Sequence, residues 1–184
     1  MNYCSDCGEK VEQRIPDGDN RHRYVCTHCN IIHYQNPRII AGTVPVWDNR
    51  ILLCRRAIEP RYGYWTLPAG FMENQETTIE AAARETREEA LAEVHMDGLY
   101  VVIDVPHIDQ VHIFYRATLI NGEYGAGEES LETQLFEPSD IPWDELSFPT
   151  VRKTLELFIN DMKQQTFGVH VDSIRHPMAK SGKT

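Results

Sequence analysis

The chain has 184 residues, 41% hydrophobic and 25% charged, enough for one ordinary domain with a small appendage and a core of its own. Its formal net charge of −10 sets its general field against nucleic acid and anionic membrane. No stretch approaches the roughly 18 apolar residues of a membrane span, and no basic-then-apolar leader opens the chain, so the expectation is a cytoplasmic protein without membrane partners.

The five cysteines include two C-x2-C pairs, Cys4/Cys7 and Cys26/Cys29, with 18 residues between the pairs. This is zinc-ribbon spacing, in which four thiolates on two tight turns make a closed tetrahedral Zn²⁺ site. Disulfides are disfavoured in a reducing cytosol, and a thioredoxin-like redox pair would need a βαβ pattern that neither pair has beside it. Residues 1–35 are therefore expected to fold on their metal, with residues 16–20 as the tip of a hairpin. His22, His28 and His33 are expected at the surface, since four thiolates leave no ligand position vacant. Lys10, Arg14, Arg21 and Arg23 are too few and too mixed with acids for a nucleic-acid face, so attachment or dimerisation suits the module better.

Asn36-Pro37 marks the boundary. Residues 39–47 and 50–56 are rich in Val, Ile and Leu, and Asp48-Asn49 between them predicts a hairpin. Cys54 lies inside its second strand and is expected as a small buried hydrophobe. Residues 57–66 lack periodicity and contain Pro60, Gly63 and three aromatics. In this loop Tyr62 and Tyr64 are candidates to stack on a base, and Trp65 is expected in the core.

Thr77 and Glu80 form a T-x-x-E capping box, which starts a helix at residue 78. At roughly 100° per residue, Ile79, Ala82, Ala83, Thr86, Ala90 and Val94 share the arc expected to face the core. Glu85, Glu88 and Glu89 share a neighbouring arc, where side chains at i, i+3 and i+4 lie about 5–6 Å apart and like charges repel. One reading is a solvated acidic face. The other is a site for a hard divalent cation, Mg²⁺ or Mn²⁺, which prefers carboxylate oxygens. Arg84 could hold Glu88 four residues on, and Glu76 could hold Arg84. Residues 70–97 carry eight Asp or Glu against two Arg, so a phosphate-bearing substrate would need metal ions between the like charges.

Residues 99–105 and 110–120 read as strands, Asn121-Gly122 as a turn, 121–130 as a flexible acidic loop and 133–136 as a fifth strand. An irregular connector over 139–148 leads to Pro149, which suits a first helical position. Val151, Leu155, Phe158 and Met162 then give a helical stripe to about residue 164. Alternation at Phe167, Val169 and Val171 predicts a last strand packed on the ribbon or on a second subunit. Residues 36–175 are thus the expected main domain, and 176–184 a disordered tail.

Gly70, Glu76 and Arg84-Glu85-Thr86-Arg87-Glu88-Glu89 resemble the Nudix box, G-x5-E-x7-R-E-U-x-E-E-x-G-U with U a bulky aliphatic. Every charged position matches. Thr86 replaces an aliphatic, Leu91 replaces the second glycine, and Ala92 is small for its slot. That glycine ordinarily ends the helix in a left-handed conformation, so the helix is expected to continue into residues 92–94 or end differently. The resemblance implies a mixed-sheet α/β/α sandwich, here preceded by a zinc ribbon, and hydrolysis of the pyrophosphate of a nucleoside diphosphate linked to a group X.

Carried over by position, Glu85, Glu88, Glu89 and the Gly70 carbonyl would hold Mg²⁺ or Mn²⁺. Arg84 would orient the cluster, and Glu76 would support Arg84. Glu132, in E-T-Q-L-F, resembles the position of a further catalytic or metal-binding glutamate in related dinucleotide pyrophosphatases. Glu128 and Glu129 are alternatives, and Glu129 is also a candidate substrate contact.

The ribbon, Tyr34-Gln35-Asn36-Pro37 and Trp65-Thr66-Leu67-Pro68-Ala69-Gly70-Phe71 are similar to zinc-ribbon Nudix enzymes that cleave ADP-ribose or FAD. A homodimer is implied by the same family. Relatives that cleave NADH carry S-Q-P-W-P-F-P downstream of the box, where residues 105–116 here read VPHIDQVHIFYR, and NADH is demoted on that ground. The rival class is a non-catalytic Nudix regulator that binds nucleic acid through its ribbon. The intact box carboxylates and the net charge weigh against it.

Overall fold

The computed structural model describes residues 1–175, so the expected disordered tail lies outside the described residues. The described residues form two compact units, residues 1–36 and those from Pro37 onward.

In the first unit β1 (Val11–Arg14), β2 (Arg23–Cys26) and β3 (Ile32–His33) make a three-stranded antiparallel sheet. Its buried apolar side chains are few, Val25 with the sulfur-bearing Cys4 and Cys26. That is too little apolar surface to fold such a short chain without help.

In the second unit β4 (Arg38–Trp47) and β5 (Arg50–Arg56) form the expected hairpin. Asp48 and Asn49 sit at φ 51° and 62°, as a two-residue turn between twisted strands requires. The short β6 (Trp65–Thr66) pairs with β5 and β7 (Ala69–Phe71) with β4. With β8 (Val94–Val105), β9 (Gln110–Leu119), β10 (Ser130–Phe136) and β11 (His170–Ser173), the main path runs β10-β5-β4-β9-β8-β11. The β4–β9 and β8–β11 pairs are parallel, and the other neighbours are antiparallel.

Alternation along β5 separates two cores, because successive strand residues face opposite sides. Ile51 and Leu53 join Val151, Leu155 and Phe158 of α2 (Pro149–Gln164). Leu52 and Cys54 join Ala90 of α1 (Thr78–Ala90). The helices therefore cover opposite faces of a mixed sheet, which is the expected sandwich.

Four expectations need correction. Val94 opens β8 instead of extending the helix, so that strand begins five residues before the expected 99. On α1, Ile79 is exposed and Ala81 takes a buried place. The last strand is His170–Ser173, paired with β8 from His170 opposite Val101, so it completes the sheet of its own unit. The loop before β10 is not free either: Gly125 N donates to Ala90 O at 2.8 Å and Gly127 N to Glu89 O at 3.1 Å. Those carbonyls are among the four that a helix end leaves without partners, so the loop caps α1.

Candidate active site and metal centres

In the first unit the two C-x2-C turns bring Cys4, Cys7, Cys26 and Cys29 together, with all four Sγ atoms within 4.8 Å of one another. Separations of 3.4 Å (Cys7–Cys26), 3.6 Å (Cys7–Cys29) and 3.8 Å (Cys4–Cys29) leave the cysteines free of disulfides. Four sulfurs at about 2.3 Å from a tetrahedral zinc lie about 3.8 Å apart, so the donor set fits Zn²⁺. The backbone N–H groups of Cys29 and His28 donate to Cys26 Sγ at 3.4 Å and pull its thiol down to about 6. His33 is not a plain surface residue, since its Nε2 lies 3.3 Å from Cys4 Sγ.

The acidic site is built on α1. Its start is fixed by the capping box: Thr77 Oγ1 accepts from Glu80 N, and Glu80 Oε2 accepts from Thr77 N. The helix ends at Ala90, with Leu91 itself left-handed at φ 44° and ψ 34°. Thr86 is buried and hydrogen-bonded, 2.6 Å from Thr43 Oγ1 and donating to Ala82 O at 2.7 Å. A polar side chain therefore fills an aliphatic slot without an unmet hydroxyl.

Arg84 spends every donor it has. Nε and Nη2 bind Glu76 at 3.1 and 2.7 Å, Nη1 binds Glu85 at 2.8 Å and Glu88 at 2.9 Å, and Nη2 also donates to Phe71 O at 3.1 Å. Glu76 is held in turn by Glu73 N at 2.6 Å, and the Arg84 guanidinium draws its carboxyl down to about 2. Glu85 lies against β7: a Cβ at Gly70 would sit 2.3 Å from Glu85 Oε2, so a larger residue there would displace the carboxylate. Burial raises Glu85 above the usual carboxylate range.

Glu89 is 6% exposed, has no ion-pair partner within bonding distance, and accepts one long hydrogen bond from Ala69 N at 3.3 Å. Burial first, then the Glu85 charge, push it up to about 8. A buried carboxylate left this poorly compensated beside two others is a hard-oxygen donor set that fits Mg²⁺ or Mn²⁺. Among the described residues only the four thiols close into a group within 4.8 Å. The carboxylates stay more open, with Glu88 half exposed and turned to Arg84.

Glu132 lies elsewhere. On β10 it stands opposite Arg55 and pairs with it at 2.8 Å. Directly opposed residues share a face, and Arg55 shares its face with Leu53, on the α2 side. A bulge between Ser130 and Glu132 shifts the alternation, so Glu132 points away from the box helix. Glu129, exposed in the loop that caps α1, is the acid whose charge acts on both Glu85 and Glu89. Tyr62 is exposed, and Tyr64 lies under Arg61, 5.3 Å from ring centroid to guanidinium. Trp65 is buried edge-on to Phe136 at 4.9 Å. One neighbour of the cluster has no counterpart among the expected residues: Arg56, whose charge favours the ionised Glu89. Its signal was its place two residues after Cys54 on the same strand face.

Against known families, a zinc-ribbon family described as Nudix N-terminal matches residues 2–35, and the NUDIX domain family matches residues 36–158. An ADP-ribose pyrophosphatase of Methanocaldococcus jannaschii is 32% identical over 113 residues, 59% of this chain and 67% of that protein. An NAD-capped RNA hydrolase NudC of Vibrio atlanticus is 34% identical over 182 residues, 89% of this chain, and this chain spans 60% of that protein's length. Among solved structures, a NUDIX hydrolase from Nitrosomonas europaea superposes with a TM-score of 0.93 at 46% identity, covering 96% of this chain and 100% of that one.

Proposed function

Since the chain belongs to the Nudix family and is a pyrophosphohydrolase of that type, we propose that it hydrolyses the pyrophosphate bond of an ADP-linked nucleoside diphosphate, ADP-ribose or FAD, releasing AMP with ribose 5-phosphate or FMN. Residues 1–35 serve as its structural zinc ribbon and 36–175 as its hydrolase domain. It works as a cytoplasmic homodimer.

The observation that carries the reading is Glu89, a nearly uncompensated buried carboxylate flanked by Glu85 and by the Arg84-held Glu88. A divalent cation held by Glu85, Glu88, Glu89 and the Gly70 carbonyl would supply neutralisation of the phosphoryl oxygens and activation of the attacking water. Arg84, locked by Glu76, orients two of these carboxylates. Glu129, placed by the loop that caps α1, is the acid positioned to accept the proton of the water as its oxygen bonds to phosphorus and the anhydride P–O bond breaks. Glu132 is committed to Arg55 and takes no part in this scheme.

The relative named for NAD-capped RNA favours a second reading, a capped RNA end as substrate. The missing S-Q-P-W-P-F-P segment and the charge of −10 weigh against it. A phosphatase-coupled phosphate-release assay in Mg²⁺ on ADP-ribose, FAD, NADH and NAD-capped RNA decides between them. ADP-ribose or FAD should turn over fastest, with kcat lowered about 10²-fold or more in Glu89→Gln. Turnover confined to NADH or capped RNA would overturn the choice of substrate.

A further inference from the structure

The four thiols of the first unit have unequal surroundings. Four thiolates on one Zn²⁺ leave the site negatively charged, in a chain whose net charge is already −10. Arg14 and Arg23, on the two longer strands of the unit, are spent on Glu12 and Asp19, and the groups found facing sulfur are N–H donors. For three of the cysteines the backbone supplies them: Cys29 N and His28 N donate to Cys26 Sγ, and backbone hydrogen bonds from Glu9 and Ile31 reach Cys7 and Cys29. Cys4 is 3% exposed, and at its Sγ stands a side chain, with His33 Nε2 at 3.3 Å.

The sheet places that ring. His33 ends β3 and stands opposite Tyr24 of β2, the strand that leads into the second C-x2-C turn, so one short ladder fixes both the imidazole and Cys26. The contact is with a single sulfur, and His33 is outside the set of donors that lie within 4.8 Å of one another. A ligand would have to stand inside that set, about as far from each sulfur as the sulfurs are from one another. His33 is therefore outside the coordination sphere. A metal-bound thiolate has no proton to give, so the hydrogen of this contact must sit on Nε2.

We propose that His33 is a positioning residue of the zinc site: from outside the coordination sphere its Nε2–H donates to the Cys4 thiolate, fixes the orientation of that ligand and strengthens the hold on the metal. The inference rests on the structural-zinc reading of residues 1–35 and is independent of the substrate. Since such a module folds on its metal, the bond helps to set how much free zinc the first unit needs to stay folded.

The test is metal binding by the full chain, with Zn²⁺ titrated against a chromophoric chelator and Co²⁺ loaded separately for its absorption spectrum. Wild type and variants should all show the ligand-field bands of four thiolates around tetrahedral Co²⁺. His33→Phe, which keeps a ring and loses the donor, should weaken Zn²⁺ about tenfold or more. It should also move the sulfur-to-cobalt charge-transfer band to lower energy, because a hydrogen bond stabilises the sulfur lone pair that this band empties. His33→Gln, whose amide N–H reaches to a similar place, should recover most of both changes. Wild-type affinity in His33→Phe overturns the inference, and so does weakened affinity with an unmoved charge-transfer band, the mark of lost packing. A wild-type Co²⁺ spectrum of three sulfurs and one nitrogen overturns it by making His33 a ligand. If His33→Phe takes up no metal, His33→Gln decides: uptake with the wild-type band supports the bond, and a failure shared with phenylalanine overturns it. A wild type that binds neither ion would overturn the zinc reading and this inference with it, whereas tight wild-type binding with indifferent variants overturns this inference alone.

Discussion

The two metal-type clusters of this chain solve opposite problems. In residues 1–36 four soft donors converge within 4.8 Å, and two backbone N–H groups point at one of the sulfurs, Cys26 Sγ. The box carboxylates on α1 do not converge: Arg84 holds two of them, and the third is buried against Ala69 N. A closed set of four ligands suits a metal that holds a fold, whereas an incomplete oxygen set on a rigid helix leaves room for substrate. The difference predicts that the first unit depends for its stability on a bound metal and the larger unit on its core.

The largest expected effect breaks that comparison most directly. Stripping zinc with a strong chelator, or replacing Cys26→Ser, should unfold residues 1–36, since structural zinc contributes about 10–16 kcal/mol in small finger modules and this unit buries little besides Val25. Hydrogen exchange should then show full loss of protection in β1 and β2 with β4, β5 and β8 unchanged. Equal loss in the larger unit would show that the two depend on one metal.

The second effect is gradual and sharpens the contrast. In the larger unit Glu89 is pushed up to about 8 by burial and the Glu85 charge, against about 4.3 for an unfolded glutamate. Between those values the folded state binds the extra proton, so stability falls as pH rises from about 4.3 to 8. Divalent cations require the ionised form, so the rise in Tm on adding Mn²⁺ should grow over the same window. Thermal melts from pH 5 to 8 without chelator, run with and without added Mn²⁺ and compared with Glu89→Gln, measure both. A pH-independent difference between the two proteins would show that Glu89 is ionised throughout.

What was legible in the sequence follows the same divide. Cysteine spacing and the T-x-x-E cap are local signals, and both resolve to the atoms that they name. Glu85, Glu88 and Glu89 could be placed on one helix by angle alone. Spacing also suggested Arg84's hold on Glu88, but it could not show that Glu89 turns inward, because burial depends on where β7 lies against the helix. The face on which Glu132 lies was hidden by parity. One extra residue in the bulge after Ser130 moves it to the far face, and nothing in E-T-Q-L-F announces a bulge.

The smallest effect concerns the helix exit, where the sequence departs from the box pattern. Leu91 takes the left-handed conformation that a glycine would take freely, at φ 44°, and the residue is 59% exposed. For a residue with a Cβ that conformation costs roughly 1–2 kcal/mol, part of which is offset because glycine loses more chain entropy on folding. Leu91→Gly should therefore stabilise the protein by about 0.5–1 kcal/mol, a rise of a few degrees in Tm for a chain of this size. Its kcat should not change. The last carbonyls of α1 are capped by Gly125 N and Gly127 N from the loop before β10, not by residue 91. A Cβ at Gly127 would lie 1.7 Å from Glu88 O, so close backbone fit joins these hydrogen bonds in holding the loop that carries Glu129 to the helix end. A fall in kcat for Leu91→Gly, with Tm raised as expected, would mean that the leucine side chain also helps to hold that loop in place.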